Sequence, residues 1–139
     1  MMTTVEASTP LQKATQQTRE RHIAAVNAGD AEAATSLFAR ESVFLPPGQP
    51  ALNDTAAIRS WFDGMFANFN VQGFSIKPGG VEERGDITIE HGSWNGNFLP
   101  KDGSSRVLPA GGTYLTVYAR LADGRVQIIR DTFNGMPGR

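Results

Sequence analysis

The spacing of apolar residues around positions 58–69, IRSWFDGMFANF, decides the fold. Apolar side chains recur there at intervals of three and four residues, which is typical of one face of a helix. From Val71 onward the spacing becomes that of β-strands. Because helical patterns precede this stretch and strand patterns follow it, the sequence predicts an α+β domain whose helices pack on one face of a single sheet.

Two helices are predicted before this stretch. Thr9-Pro10-Leu11-Gln12 matches a capping box with proline at the first helical position. The first helix is therefore predicted over about residues 10–28, and Gly29 closes it in the left-handed conformation. Asp30 is predicted to cap a second helix that ends near Arg40.

Four strands are predicted after the aromatic helix, at about 71–83, 86–98, 105–121 and 125–133. Short polar turn sequences with glycine separate them, so they are predicted to form an antiparallel meander. The helix at 58–69 is predicted to begin after a cap at Asn53 or Asp54. Residues 1–8 are small and polar and are predicted to be a flexible arm, which leaves a single domain at 9–139.

Composition excludes several classes of protein. The chain has 139 residues with a net charge of −1, so no positive field favours nucleic acid or an anionic membrane as a partner. It has no cysteine, which removes disulfides, thiolate nucleophiles and cysteine-ligated metals. The first residues lack the pattern of a signal peptide, and no stretch reaches 18 apolar residues. A cytoplasmic protein is predicted.

No cofactor or metal ion is predicted. The two histidines, His22 and His91, have no HExxH or paired carboxylate spacing near them. The glycine pairs at 79–80 and 111–112 do not precede helices, and they lack a P-loop or dinucleotide fingerprint.

Four short segments, taken in order, resemble a known superfamily. They are Asn27-Ala28-Gly29-Asp30, Leu37-Phe38, Ser42-Val43-Phe44-Leu45-Pro46-Pro47-Gly48 and Arg130-Asp131-Thr132-Phe133-Asn134. Together they resemble the NTF2-like superfamily, and most of all its SnoaL-like and DUF4440 branch, with proteins of the SgcJ/EcaC type, which is related to the ketosteroid isomerases. The resemblance implies a cone-shaped, cystatin-like α+β fold in which three N-terminal helices pack in a curved antiparallel sheet. A pocket lies at the wide end of such a cone.

The resemblance does not imply one activity, because the superfamily includes isomerases, cyclases, dehydratases, epoxide hydrolases and members that only bind or assemble. In the ketosteroid isomerases a carboxylate base moves a proton, while a phenol and a protonated Asp stabilise the oxyanion. By resemblance, His22 takes the place of the phenol, Leu45 that of the base and Thr116 that of the Asp. Leucine cannot accept a proton, so ketosteroid isomerisation itself is not expected.

Strand alternation predicts further residues of the pocket. His91 follows the same parity as Ile87 and Ile89 and is predicted to point inward. The resemblance implies that the face carrying Asp131 and Phe133 is concave. The predicted catalytic residues are His22, Asp131 and Tyr114, and the predicted substrate contacts are His91, Thr116, Trp61, Phe62, Phe66, Tyr118 and Phe133.

Two functions fit this pattern. The first is a cofactor-independent cyclase or isomerase acting on a small hydrophobic carbonyl compound, with His22 or Asp131 as base and with Tyr114, Thr116 or the second histidine as hydrogen-bond donors. The second is a non-catalytic binding or assembly module whose apolar pocket holds a hydrophobic ligand. The enzyme hypothesis requires His22 or Asp131 to reach the pocket within hydrogen-bond distance of a second polar group.

A homodimer is predicted through the convex face of the sheet. Trp94 has the opposite parity to Ile89 and His91 and is therefore predicted to lie on that face. An exposed tryptophan there would form an apolar patch in a monomer.

Overall fold

The computed structural model describes residues 9–136, and the arm predicted at 1–8 lies outside them. The elements are α1 (Pro10–Ala28), α2 (Ala31–Thr35), β1 (Phe38–Leu45), α3 (Thr55–Asn68), β2 (Phe69–Arg84), β3 (Ile87–Pro100), β4 (Leu108–Arg120) and β5 (Val126–Phe133). The predicted α+β class, with three helices packed against a curved sheet, is confirmed. Among the described helices, none combines the length and hydropathy that a membrane crossing requires.

The helix ends follow the predicted capping residues. The backbone N–H of Gln12 donates to the Thr9 hydroxyl at 3.1 Å, which begins α1. Gly29 ends α1 at φ 65°, a conformation that glycine adopts without steric cost. Asp54, not Asn53, caps α3 by accepting from the backbone N–H of Ala57 at 2.7 Å.

The second helix is shorter than predicted. It ends at Thr35, whereas the sequence pattern extended it to Arg40. Phe38 instead begins β1, where it is buried and pairs with Ile128 of the last strand. The pairing gives hydrogen-bond partners to the backbone N–H and C=O groups of a longer segment than one more helical turn would. Tertiary structure therefore overrides the local helical spacing.

The sheet is mixed, not wholly antiparallel as expected. Strands β2 to β5 form the predicted antiparallel meander, but β1 runs parallel to β5 at one edge, in the order β1-β5-β4-β3-β2. Within this sheet Glu90 pairs with Thr116, and Thr116 pairs with Asp131. These three side chains therefore form one row across β3, β4 and β5, on the face that the helices cover.

The inward face of β3 is the opposite of the predicted one. Glu90 and Trp94 are buried, whereas Ile89 is partly exposed and His91 is exposed. The inward placement of His91 and the outward placement of Trp94 are both wrong. The prediction assumed that the apolar side of the strand faces the core, but this strand buries polar side chains that find partners on α1. For example, the Thr88 hydroxyl lies 2.9 Å from the Thr15 hydroxyl, within hydrogen-bond distance.

Helix α1 is held across the sheet by polar contacts near its C-terminus and near its middle. Near its C-terminus, Asn27 exchanges two hydrogen bonds of 2.9 Å with the backbone of Phe74 on β2. Nearer its middle, the Thr18 hydroxyl donates to the carbonyl of Val126 on β5 at 2.8 Å. These contacts fix which face of α1 lies over the concave side of the sheet.

Two glycine substitutions test the close packing of the bulge in β2 against β3. A Cβ at Gly92 would overlap the carbonyl oxygen of Lys77 and approach Gly79 and Pro78, all backbone atoms that cannot move separately. Gly92→Ala is expected to lower the free energy of unfolding by about 2 kcal/mol or more in urea titrations. Gly64→Ala, in α3 with open space around it, is expected to raise it by ~0.5–1 kcal/mol. Equal effects of the two substitutions would contradict this packing.

Candidate functional site

A cavity lies between the concave face of the sheet and helices α1 and α3. The centre of a water molecule can occupy about 60 Å³ of it, space for several waters at roughly 10–15 Å³ each. Its polar lining consists of His22, Tyr114, Thr116, Tyr118 and Asp131. Its apolar lining consists of Val26, Phe44, Trp61, Phe62, Met65, Phe74, Ile76, Trp94, Phe98, Phe133 and Met136.

Aromatic rings form one wall of the cavity. Phe44 stacks on Phe62 with an interplanar angle of 10°, and the Trp61 ring meets Phe44 edge-on at 5.0 Å. Phe133 stacks on Phe44 at 5.9 Å and meets Trp94 edge-on at 5.7 Å, so Trp94 continues the same wall. Interlocked rings of this kind are stiff. The wall therefore offers flat apolar surfaces to a ligand.

Asp131 brings a buried carboxyl group into this apolar cavity. It is 7% exposed, and the Thr116 hydroxyl donates to its Oδ1 at 2.7 Å. No salt bridge joins it to any residue between 9 and 136. Burial raises the pKa of Asp131 to about 7, the charge of Glu90 adds to this, and the hydrogen bond from Thr116 partly opposes it. Near neutral pH this carboxyl group can both accept and release a proton.

His22 faces the cavity from α1. Its ring lies 6.0 Å from the Phe74 ring and 6.4 Å from the Phe38 ring, and it makes no hydrogen bond to the described residues. Burial lowers the pKa of His22 to about 4, so the imidazole is neutral at pH 7. A neutral imidazole can donate from one nitrogen and accept at the other.

A buried ion pair stands behind the cavity. Arg19 of α1 binds the Glu90 carboxylate through both Nε, at 3.0 and 3.2 Å, and Nη2, at 2.6 Å. Burial alone lowers the pKa of Arg19, but the hydrogen bonds and charge of Glu90 outweigh it and raise the pKa. The Tyr114 hydroxyl donates to the second Glu90 oxygen at 2.6 Å. Glu90 itself is fully buried.

The two cavity tyrosines differ in what their hydroxyl groups can still do. Burial raises the pKa of both Tyr114 and Tyr118, and the charge of Glu90 raises it further. The Tyr114 proton is already donated to Glu90, so Tyr114 is not the free donor that the sequence predicted. The Tyr118 hydroxyl makes no hydrogen bond to the described residues and is available to a ligand.

Most of the predicted site residues come together in this cavity. His22, Asp131, Tyr114, Thr116, Trp61, Phe62, Tyr118 and Phe133 all line it. Phe66 does not line it, because it is buried behind Phe62, on which it stacks at 5.8 Å. His91 is exposed on the outer face of β3 and cannot contact a ligand in the cavity.

Sequence reasoning missed the ion pair and Trp94. A signal for Arg19 was present, because Thr15, Arg19 and His22 recur at helical spacing on the face of α1 that meets the sheet, but none pointed to Glu90 as its partner. Trp94 was missed because the parity of β3 was inverted. Within residues 9–136, no group of three or more histidine, aspartate or glutamate side chains is arranged to hold a metal ion.

Helices followed by a curved sheet that closes over a lined cavity define an NTF2-like protein. Residues 20–129 match the family profile of the SnoaL-like domain, and the chain belongs to this family. No curated protein matches the chain significantly in sequence.

Solved structures agree on the fold. A ketosteroid isomerase-like protein from Erwinia carotovora atroseptica is similar with a TM-score of 0.79 at 18% identity, over 89% of this chain and 95% of that one. A conserved protein from Planctomyces limnophilus has a TM-score of 0.80 at 17% identity, over 91% and 96%. An NTF2-like superfamily protein from Salmonella enterica has a TM-score of 0.73 at 16% identity, over 88% and 91%. At these identities the likeness establishes the fold alone.

The buried Asp131 makes stability depend on pH in a defined direction. Its pKa is about 7 in the folded protein against an ordinary 3.8, so folding disfavours its ionised form. This cost is absent below pH 4, grows between pH 4 and 7 and is then constant, at ~4 kcal/mol for a shift of about three units. Asp131→Asn is therefore expected to raise the free energy of unfolding at pH 8 by up to ~4 kcal/mol, and by much less at pH 5.

Urea unfolding at the two pH values measures this difference. Asp86→Asn, which removes an exposed carboxylate, is the matched control and is expected to show no such pH dependence. A gain from Asp131→Asn that is equal at pH 5 and pH 8 would contradict a protonated, buried Asp131.

Proposed function

We propose that the protein binds a small hydrophobic carbonyl compound in this cavity and moves a proton on it without a cofactor, as a cyclase or isomerase. The observation that carries this proposal is Asp131, a buried carboxyl group with a pKa of about 7 inside an apolar cavity. A general acid–base group works best when its pKa lies near the working pH. The geometric condition is also met, because Asp131 lies within hydrogen-bond distance of Thr116.

The remaining polar groups have complementary roles in this scheme. Asp131 takes a proton from carbon next to the carbonyl group and returns it elsewhere on the same molecule. Negative charge then develops on the carbonyl oxygen, where the free Tyr118 hydroxyl and the neutral His22 ring are the candidate donors. Thr116 holds the carboxyl group in place. The aromatic wall excludes water and orients the apolar part of the ligand.

A binding module without catalysis is the second candidate, and one observation favours it. The position that corresponds to the base of the ketosteroid isomerases is Leu45, whose side chain is 43% exposed and lies outside the cavity. A protein that only holds a ligand needs the cavity and its aromatic wall, and it needs no proton-accepting residue. In that case Asp131 is a hydrogen-bonding contact.

A screen of small ketones and aromatic polyketides separates the two candidates. Binding is followed by tryptophan fluorescence, because Trp61 and Trp94 both line the cavity, and turnover is followed by mass spectrometry and solvent deuterium incorporation. If the protein is an enzyme, Asp131→Asn is expected to lower turnover by about 100-fold or more with little loss of binding. Tyr118→Phe and His22→Ala are expected to lower it less.

The control is Asp123→Asn, which removes an exposed carboxylate in the turn between β4 and β5, outside the cavity lining. Ligands that bind but undergo no exchange or conversion would favour the binding module. Failure of every apolar carbonyl compound to bind would contradict the proposed enzyme, and failure of apolar ligands without a carbonyl group as well would contradict the binding module.

We also propose that the protein is a homodimer through the outer face of the sheet. Trp94 no longer supports this, because it is 6% exposed and its Nε1 donates to the carbonyl of Asn134 at 2.8 Å. The support now comes from Leu115, which is 43% exposed, and from the partly exposed Ile89 and Val117 beside it. Apolar side chains that are adjacent on a sheet surface are a common basis for association.

Light scattering tests the dimer at micromolar concentration. The unmodified protein is expected to have the mass of two chains, and Leu115→Glu that of one, because a carboxylate at the centre of the interface cannot be desolvated. Gln17→Glu, on the exposed face of α1, is the control and is expected to leave the mass unchanged. A monomeric unmodified protein would contradict the proposal.

The cytoplasmic location and the narrower DUF4440 assignment remain predictions.

A further inference from the structure

We propose that Arg19 of α1 and Glu90 of β3 are a positioning pair whose charges favour the protonated form of Asp131 on β5. The inference rests on the role proposed above for Asp131 in proton transfer. Neither Arg19 nor Glu90 lines the cavity, so neither is expected to touch a ligand. Their effect is electrostatic, because Glu90 and Asp131 lie in one row of side chains that crosses the sheet.

The row makes the connection short. Glu90 lies directly opposite Thr116 in the pairing of β3 with β4, and Thr116 lies directly opposite Asp131 in the pairing of β4 with β5. Neighbouring strands are about 4.8 Å apart, so the backbones that carry Glu90 and Asp131 are separated by roughly 10 Å. The Thr116 hydroxyl lies between them and donates to Asp131.

The count of buried charges explains why Asp131 depends on this pair. Among the described residues, the buried side chains that carry charge are Arg19, Glu90 and Asp131. Glu90 accepts three hydrogen-bond contacts from Arg19. The one buried cation among these residues is therefore paired with Glu90. Asp131 is left without a cation and faces the Glu90 carboxylate across a poorly screened interior.

The other groups packed around Asp131 do not supply a competing charge. From β4, Tyr114 and Tyr118 are neutral phenols, and from α1 the His22 ring is neutral at pH 7. From β1 and α3 the cavity presents only apolar side chains, such as Phe44 and Trp61. The Arg19–Glu90 pair is therefore the charged neighbour of Asp131 within the described part of the chain.

The experiment is an NMR titration of the side-chain carboxyl carbons in the full chain, without ligand, with Asp131→Asn to identify the Asp131 resonance. Glu90→Gln removes the repelling carboxylate and leaves the Arg19 cation. The titration midpoint of Asp131 is then expected to fall by roughly one pH unit or more. Thr116→Val removes a hydrogen bond to the ionised carboxylate and is expected to move the midpoint upward, which shows that the measurement reports both directions.

A second variant covers the case in which Glu90→Gln does not fold, because an unpaired buried cation is strongly destabilising. Arg19→Met/Glu90→Met replaces the whole pair by apolar side chains, an exchange that buried ion pairs tolerate. Since both charges are absent, the midpoint is expected to fall by less than in Glu90→Gln and to stay above that of an exposed aspartate. Glu20→Gln removes an exposed carboxylate next to Arg19 in α1 and is expected to cause no shift.

An unchanged or raised midpoint in Glu90→Gln, or in the double variant if it alone folds, overturns this inference. The titration needs no ligand, so its result is independent of the screen for turnover. A failed screen with the expected midpoint shifts contradicts the proposed enzyme and leaves the positioning pair standing. Where turnover is found, the acid limb of its pH profile is expected to move with the Asp131 midpoint.

Discussion

Within residues 9–136, the burial of two carboxyl groups with a single cation is the constraint on which the rest of this structure depends. Arg19 can neutralise one carboxylate, and the bidentate contact with Glu90 commits it fully. Asp131 is left in an apolar cavity where ionisation is costly, and its pKa rises to about 7. The raised pKa of Asp131 is thus a consequence, first, of burial without a neutralising cation and, second, of the nearby Glu90 charge.

The Arg19–Glu90 pair requires that helix α1 lie over the sheet in one fixed orientation. Arg19 reaches Glu90 only if the Arg19 face of α1 points down onto β3, and hydrogen bonds from Thr15, Thr18 and Asn27 to the sheet set that rotation. The same rotation places His22 over the cavity. Core packing and site geometry are therefore determined by one helix orientation, and a change that rotates α1 would disturb both.

The aromatic wall also has two roles. Phe44 and Phe62 are nearly fully buried core residues, and they are at the same time part of the cavity surface. In a cone-shaped fold the concave side of the sheet cannot be filled completely by three helices, so the inner surface of the core becomes the lining of the remaining space. Most polar groups of this space lie on β4 and β5, with Thr116 and Asp131 adjacent in register, and His22 faces the space from α1. A few polar groups in a mostly apolar lining suit a ligand with one polar end.

Local signals in the sequence determined the α+β class, the limits of α1, its caps at Thr9 and Gly29, and the antiparallel meander of β2 to β5, and they narrowed the cap of α3 to Asn53 or Asp54. Helical spacing and strand alternation, together with the resemblance to NTF2-like proteins, also led to most of the cavity residues. Only the tertiary structure decided the parallel pairing of β1 with β5, the inward face of β3 and the Arg19–Glu90 pair. Each of these depends on a partner far away in the chain. A buried glutamate is recognisable only when the arginine that neutralises it, 71 positions earlier, is seen beside it.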